Sequence, residues 1–160
     1  MKRLLFTLAT CCVMCACEQK TEMNPFFTEF QTEYGAPDFT KIRLEHYEPA
    51  FLKGIEEQNA EIKAIVDNPE EPTFENTIVA LDKSGGILAR VSGVFFALTE
   101  ADTNDSLTAL NEKMAPVLSE HSDNIYLNQD LYKRVADVHQ QEQEAATDPD
   151  HLDIYGTKEA

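Results

Sequence analysis

Histidine is the side chain that most often binds a catalytic metal or transfers a proton in enzymes, and this chain has four histidines. They are His46, His121, His139 and His151. None begins the pattern His-Glu-x-x-His, which places two zinc ligands on one helical face with a general base beside them. The four cysteines all lie within the first 17 residues. We therefore expect no metal site and no catalytic residue in this chain.

Two segments place histidine beside carboxylates and are weak candidates for a cation site. One is His121-Ser122-Asp123, and the other is the stretch 148–153, which contains Asp148, Asp150, His151 and Asp153. We favour the simpler interpretation, a solvated helix end for the first and a polar tail for the second.

The pairs Glu56-Glu57 and Glu70-Glu71 are candidates for acid–base catalysis by neighbouring carboxyl groups. Both pairs lie among other charges and show no sign of burial. Without desolvation nothing raises the pKa of a carboxyl group, so no catalytic role is predicted for either pair.

Two other short motifs favour packing over ligand contact. His46-Tyr47 is a candidate substrate contact, but an aromatic pair under the start of a helix is the favoured interpretation. Ser84-Gly85-Gly86 resembles a fragment of a phosphate loop, yet it lacks the preceding strand and the following Gly-Lys-Ser/Thr.

Composition excludes one class of partner. The formal net charge is -16, so the phosphate backbone of a nucleic acid would be repelled. Hydrophobic residues make up 42% of the chain, enough for the core of one domain.

The first 16 residues have the layout of a secretory signal. Lys2 and Arg3 precede an apolar run, which ends in Met14-Cys15-Ala16-Cys17 (14–17). That ending resembles the lipobox of bacterial lipoproteins, so we expect Cys17 to be lipidated and to anchor the protein to a membrane of the bacterial cell envelope, on its periplasmic or surface face. Processing at Cys15, cleavage by ordinary signal peptidase and an uncleaved anchor are the alternatives.

After this signal, residues 17–40 read as a tether and an extended lead-in, with Phe26, Phe27 and Phe30 as packing anchors. Helical periodicity then begins. A first helix is predicted over 49–66, with Pro49 in its first turn. Its inward stripe consists of Phe51, Ile55, Gln58, Ile62 and Ile65.

A second helix, capped by Thr73, is predicted over 74–98, because the apolar register continues across Gly85. A third helix follows the capping residues at 101–105, with a kink or an early end near Pro116. A fourth begins at Asn128, and residues 140–160 read as a polar tail. The predicted fold class is all-α, with antiparallel helices over 41–139.

Six stretches of the chain resemble the N-terminal region of the thimet oligopeptidase family of zinc metallopeptidases, in its peptidyl-dipeptidase and oligopeptidase A branch. They are NPFF (24–27), IRLEHYEPAFLKGIEEQNAEI (42–62), PTFENTIVALDKSGGILARVSGVFFAL (72–98), TN (103–104), MAPVLSEHSDNIYLN (114–128) and LYKRV (131–135).

The resemblance implies a larger helical enzyme that encloses a channel, uses zinc to activate water, and releases dipeptides from the C-terminal ends of short peptides. These residues would form one wall of the channel. The zinc-binding half has no counterpart here, so the chain is expected to bind no zinc and to be an inactive N-terminal fragment. The alternative is a lipid-anchored helical module that binds peptides or proteins without catalysis.

Overall fold

The computed structural model describes residues 23–147, and every regular element in that range is helical, as predicted. Two short 3-10 turns lie in the lead-in, and a π-helical segment, Phe74–Val79, runs directly into α2. The α-helices are α1 (Leu44–Val66), α2 (Ala80–Lys83), α3 (Gly86–Ala101), α4 (Asp105–Tyr126) and α5 (Gln129–Thr147).

Helix α1 begins at Leu44, so the predicted start at Pro49 is wrong. The ring of His46 makes the earlier start possible, because its Nδ1 accepts a hydrogen bond from the backbone N–H of Arg43 at 3.1 Å. Pro49 then lies inside the helix, where it removes one backbone donor without ending the helix.

The predicted single helix over 74–98 is also wrong, because the chain turns at Ser84 and Gly85. Ser84 is extended, with φ -71° and ψ 153°, and Gly85 is left-handed, with φ 75°. Glycine reaches that conformation without the clash that a Cβ atom would cause. The apolar register nevertheless continues across the turn, since α2 and α3 both pack against α1.

An aromatic cluster forms the centre of the larger core. Phe26, Phe51 and Phe95 are completely buried. The ring centroid of Tyr47 lies 5.2 Å from that of Phe26 and 5.3 Å from that of Phe95. Phe27 and Phe30 pack at the edge of this cluster, so the predicted anchoring of the lead-in by phenylalanines is confirmed.

Polar contacts also attach the lead-in to the helices. Asn24 Nδ2 donates to the backbone carbonyl of His46 at 2.8 Å, and Arg90 Nη1 donates to the carbonyl of Phe26 at 2.8 Å. Tyr47 is buried in the core and the ring of His46 is bonded at the start of α1, which agrees with the structural interpretation of His46-Tyr47.

The backbones of α1 and α3 approach each other closely at Gly54. A Cβ atom built on Gly54 would lie 2.7 Å from the backbone nitrogen of Leu88 and 2.8 Å from its Cα. The small residue that permits a close helix crossing is therefore on α1.

Asparagine side chains cap the last two helices, near the predicted positions. Asn104 accepts from two backbone N–H groups of α4, and Asn128 Oδ1 accepts from those of Asp130 and Leu131. Helix α4 continues past Pro116 to Tyr126, so it does not end early. Helix α5 extends to Thr147, into the segment assigned to the polar tail.

No helix within residues 23–147 is both long enough and apolar enough to cross a membrane.

Candidate functional site

A groove with a volume of about 640 Å³ is lined by residues of α1, α2, α3, α4 and the beginning of α5. Its size falls within the roughly 300–1,000 Å³ typical of ligand pockets. The lining residues are Gln58, Leu81, Ser84, Leu88, Ser92, Phe96, Leu118, His121, Ser122, Ile125, Tyr126, Asn128, Leu131, Tyr132 and Val135.

The groove differs in charge from the rest of the protein. None of its lining residues is Asp, Glu, Lys or Arg, whereas these types make up 26% of the chain. Aliphatic and aromatic side chains form its walls, and serine, glutamine, asparagine and histidine supply its polar groups. This composition suits an uncharged, largely apolar ligand that makes a few hydrogen bonds.

Three side chains at the groove form a hydrogen-bonded chain with one direction. Ser84 Oγ donates to the carbonyl of Leu81 at 2.8 Å, so it accepts from Gln58 Nε2 at 3.2 Å. The side-chain oxygen of Gln58, Oε1, then accepts a hydrogen bond from His121 Nε2 at 2.7 Å. The sequence of bonds assigns the proton of neutral His121 to Nε2.

This assignment leaves Nδ1 of His121 as an acceptor. The residue is only 5% exposed, and Nδ1 has no hydrogen-bond partner among the described residues. Burial lowers the pKa of His121, because desolvation disfavours the charged imidazolium. His121 is therefore a neutral polar group at the groove, with an unused acceptor.

The turn between α2 and α3 is attached to α1 at the same place. The N–H of Gly85 donates to Glu61 Oε2 at 2.7 Å. A Cβ atom on Gly85 would lie 2.5 Å from Gln58 Nε2. Gln58 and Glu61, one turn apart on α1, thus hold the turn that forms one edge of the groove.

Exposed aromatic side chains stand at the mouth of the groove. Phe96, Tyr126 and Tyr132 all line it, and they are 39%, 82% and 68% exposed. Leu127, which follows Tyr126, is 70% exposed. Such a concentration of exposed apolar area beside a cavity is typical of an interaction site.

Most residues singled out from the sequence do not meet in this groove. His121 lies there with Ser122, but Asp123 is exposed, and residues 23–147 contain no cluster of three or more His, Cys, Asp or Glu suited to a metal. The groove itself was not predicted. Its one sequence signal was Gln58, a polar residue within the apolar stripe of α1.

The other candidates have simple structural environments or lie outside the described range. Glu56 and Glu57 pair with Lys53 at 3.7 Å and 3.2 Å, and residues 70–71 are exposed. Cys17 and the cluster at 148–153 lie outside the described residues.

The described residues form an all-α module with an uncharged, largely apolar groove. Over 132 residues, 82% of this chain, the sequence is 45% identical to dipeptidyl carboxypeptidase of Escherichia coli strain K12. It is 43% identical over 129 residues to dipeptidyl carboxypeptidase of Salmonella typhimurium strain LT2, covering 81% of this chain. Oligopeptidase A of E. coli is 28% identical over 115 residues, covering 72% of this chain.

These relatives confirm the resemblance. The chain is homologous to the dipeptidyl carboxypeptidases and oligopeptidase A, and it matches the N-terminal region of the thimet oligopeptidase family. It spans about a fifth of the length of these relatives, 19% for each dipeptidyl carboxypeptidase and 16% for oligopeptidase A. Comparison with models of known protein families gives no match.

Proposed function

We propose that this chain is the N-terminal part of an exported zinc metallopeptidase that releases dipeptides from the C-terminal ends of short peptides. The observation that carries the proposal is the 45% identity to a dipeptidyl carboxypeptidase over 132 residues. Identity to oligopeptidase A is lower, 28% over 115 residues, which favours the release of dipeptides over more general cleavage of oligopeptides.

In this proposal the chain contributes to the wall of the peptide channel and not to the chemistry. Residues 23–147 do not fit a zinc ion, since they bring together no group of three His, Cys, Asp or Glu side chains. By resemblance to the family, the zinc ligands and the base that activates water would come from sequence outside the described residues. Alone, the chain would be inactive.

A chimeric enzyme tests the proposal. Residues 24–147 would replace the aligned segment of the E. coli dipeptidyl carboxypeptidase, and release of C-terminal dipeptides from an unblocked peptide would be measured. We expect activity that a metal chelator abolishes, and none from the 160-residue chain alone. A folded, zinc-loaded chimera without activity would contradict the proposal, as would chelator-sensitive cleavage by the chain alone.

The groove favours a second candidate, a lipid-anchored module that binds peptides without hydrolysing them. This candidate predicts tight peptide binding by the chain alone together with an inactive chimera. The activity of the chimera therefore separates the two functions, whereas peptide binding by the chain alone is compatible with both.

The proposed location is the bacterial cell envelope, through a lipid on Cys17. It is supported by the signal-like order of charges and apolar residues in 1–17. Mass spectrometry of the protein expressed in a bacterium should show diacylglycerol on Cys17, and Cys17→Ser should release the protein from the membrane fraction. An unmodified Cys17 would contradict it.

A further inference from the structure

We propose that the groove lined by α1 to α5 binds an uncharged, apolar internal stretch of a peptide, away from the peptide's C-terminal carboxylate. This inference rests on the proposed function, because the relatives are peptidases, and it adds a site on this chain that recognises part of the substrate. The charge, the shape and the polar groups of the groove each support it.

Because no charged side chain lines the groove, the groove does not suit the C-terminal end of a peptide, which carries a carboxylate. A dipeptidyl carboxypeptidase acts at the C-terminal end of its substrate, and a buried carboxylate needs a cation or several donors. The groove has no Lys or Arg, and the protein around it carries a formal net charge of -16. A free carboxylate would be repelled, so the groove suits a section of peptide that lies upstream of the cleaved bond.

The shape of the groove suits side chains and not a second folded chain. A volume of about 640 Å³ accommodates a few apolar side chains. Two copies of this chain would have to bring like net charges together to share the groove, which disfavours a dimer at this site. Fatty acids would face the same repulsion as peptide carboxylates.

The polar groups of the groove suit the backbone of a peptide. His121 lines the groove, is 5% exposed, and has an acceptor nitrogen without a partner in the described part of the chain. Because that nitrogen is itself buried, the peptide backbone would be met by the other polar side chains of the groove. Ser122 and Asn128 also line the groove. Apolar walls with a few polar groups match the alternation of side chains and amides along a peptide.

Tryptophan fluorescence provides a direct test, because the chain contains no tryptophan. The purified full chain would be titrated into acetyl-Ala-Leu-Trp-Leu-Ala-amide, and the emission of the peptide's indole would be followed. We expect a saturable blue shift as the indole leaves water. The control peptide acetyl-Ala-Glu-Trp-Glu-Ala-amide should show none, and the leucine peptide with a free carboxylate should bind more weakly.

Exposed tyrosines supply matched variants that leave the core intact. Tyr132→Asp and Tyr126→Asp place a charge at the groove, whereas Tyr34→Asp places the same charge at a residue that is 96% exposed and outside the groove. We expect the groove variants to weaken binding at least about tenfold, equivalent to about 1.4 kcal/mol. Tyr34→Asp should bind as the unmodified chain does, and circular dichroism should be the same for all three.

Four results would overturn the inference. They are no saturable shift, equal affinity for the three tyrosine variants, equal or tighter binding of the free-carboxylate peptide, and a dimer in sedimentation that Tyr132→Asp dissociates. Because binding is measured without turnover, a negative result leaves the chimera experiment unaffected. An inactive chimera likewise leaves the binding result standing.

Discussion

Gln58 and His121, 63 residues apart in sequence, are joined side chain to side chain at 2.7 Å. The bond connects α1 to α4, and Gln58 extends the connection to Ser84 in the turn before α3. Three segments that are distant in sequence therefore meet at one amide. The arrangement of these three segments is held by hydrogen bonds between uncharged groups, which salt does not screen.

Burial of His121 predicts a loss of stability in mild acid. Its pKa is lowered by desolvation, so as pH falls below about 6.5 the unfolded chain binds a proton before the folded chain does. Above that pH the contribution of His121 to the free energy of unfolding is fully present. As the pH falls further, the free energy of unfolding decreases until the pH reaches the lowered pKa of the folded state. Urea unfolding at about pH 7.5 and about pH 5.5 measures the loss.

The contribution of His121 is isolated by substitution. His121→Gln keeps a donor for Gln58 but does not titrate, so it should lose less stability between these two pH values than the unmodified chain. His139→Gln, at an exposed position on α5, serves as the control. An equal reduction of the pH dependence in both variants would refute the assignment.

Gly54→Ala should destabilise the protein by about 1–3 kcal/mol, because the added methyl would press on the backbone of Leu88, which cannot rotate away. Gly93→Ala is the matched control, since a Cβ atom there meets nothing within 4 Å. That substitution should stabilise α3 by up to about 1 kcal/mol. The free energies of unfolding in urea compare the two, and a stable Gly54→Ala variant would contradict the close approach.

Gly85→Ala should cost more than Gly86→Ala, although the two glycines are adjacent. Alanine at 85 must adopt a left-handed φ, which costs about 1–2 kcal/mol, and its methyl meets the amide of Gln58. Gly86 begins α3 with open space around it, so alanine there should be neutral or stabilising. Thermal unfolding ranks the variants, and equal tolerance would indicate that the turn is not held in this geometry.

Arg134, on α5, holds the loop that joins α1 to the π-helical segment. Arg134→Ala should detach that loop from α5. Arg134 donates to the carbonyls of Asn68 at 2.9 Å and Glu70 at 3.3 Å, and to Asn76 Oδ1 at 3.3 Å. Asn76 Oδ1 keeps its bond from the Thr73 N–H, but leaving the two carbonyls without this donor costs about 1–3 kcal/mol. Lys133→Ala, on the exposed face next to it, should change the free energy of unfolding by less than about 0.5 kcal/mol. Similar losses in both variants would point to general charge effects.

Periodicity and capping predicted most of the helices, because these signals are local. Phe51, Ile62 and Ile65 repeat on one face of α1, and asparagine at 104 and 128 caps α4 and α5. The start of α1 was missed because the capping group is the ring of His46, which is not among the usual capping side chains. The turn at Gly85 was missed because apolar positions keep the same phase on both sides of it.

The groove could not be predicted, because its members come from five helices. Nothing near His121 in the sequence indicates that Gln58 lies beside it. Its lack of charge becomes visible only when Leu88, Leu131 and Val135 are known to face a common space. A single polar residue in an apolar stripe was the available signal, and it does not identify a partner.

The burial of Phe26 and the bond from Asn24 to His46 fix where the folded body begins. With the proposed lipid on Cys17, only seven peptide units separate the membrane from Asn24, a reach of at most about 25 Å. At physiological ionic strength, interactions between exposed charges are largely screened beyond about 8 Å. At that reach, a tether would be long enough to hold an acidic body beyond the range at which lipid phosphates repel it, yet short enough to limit its rotation at the surface.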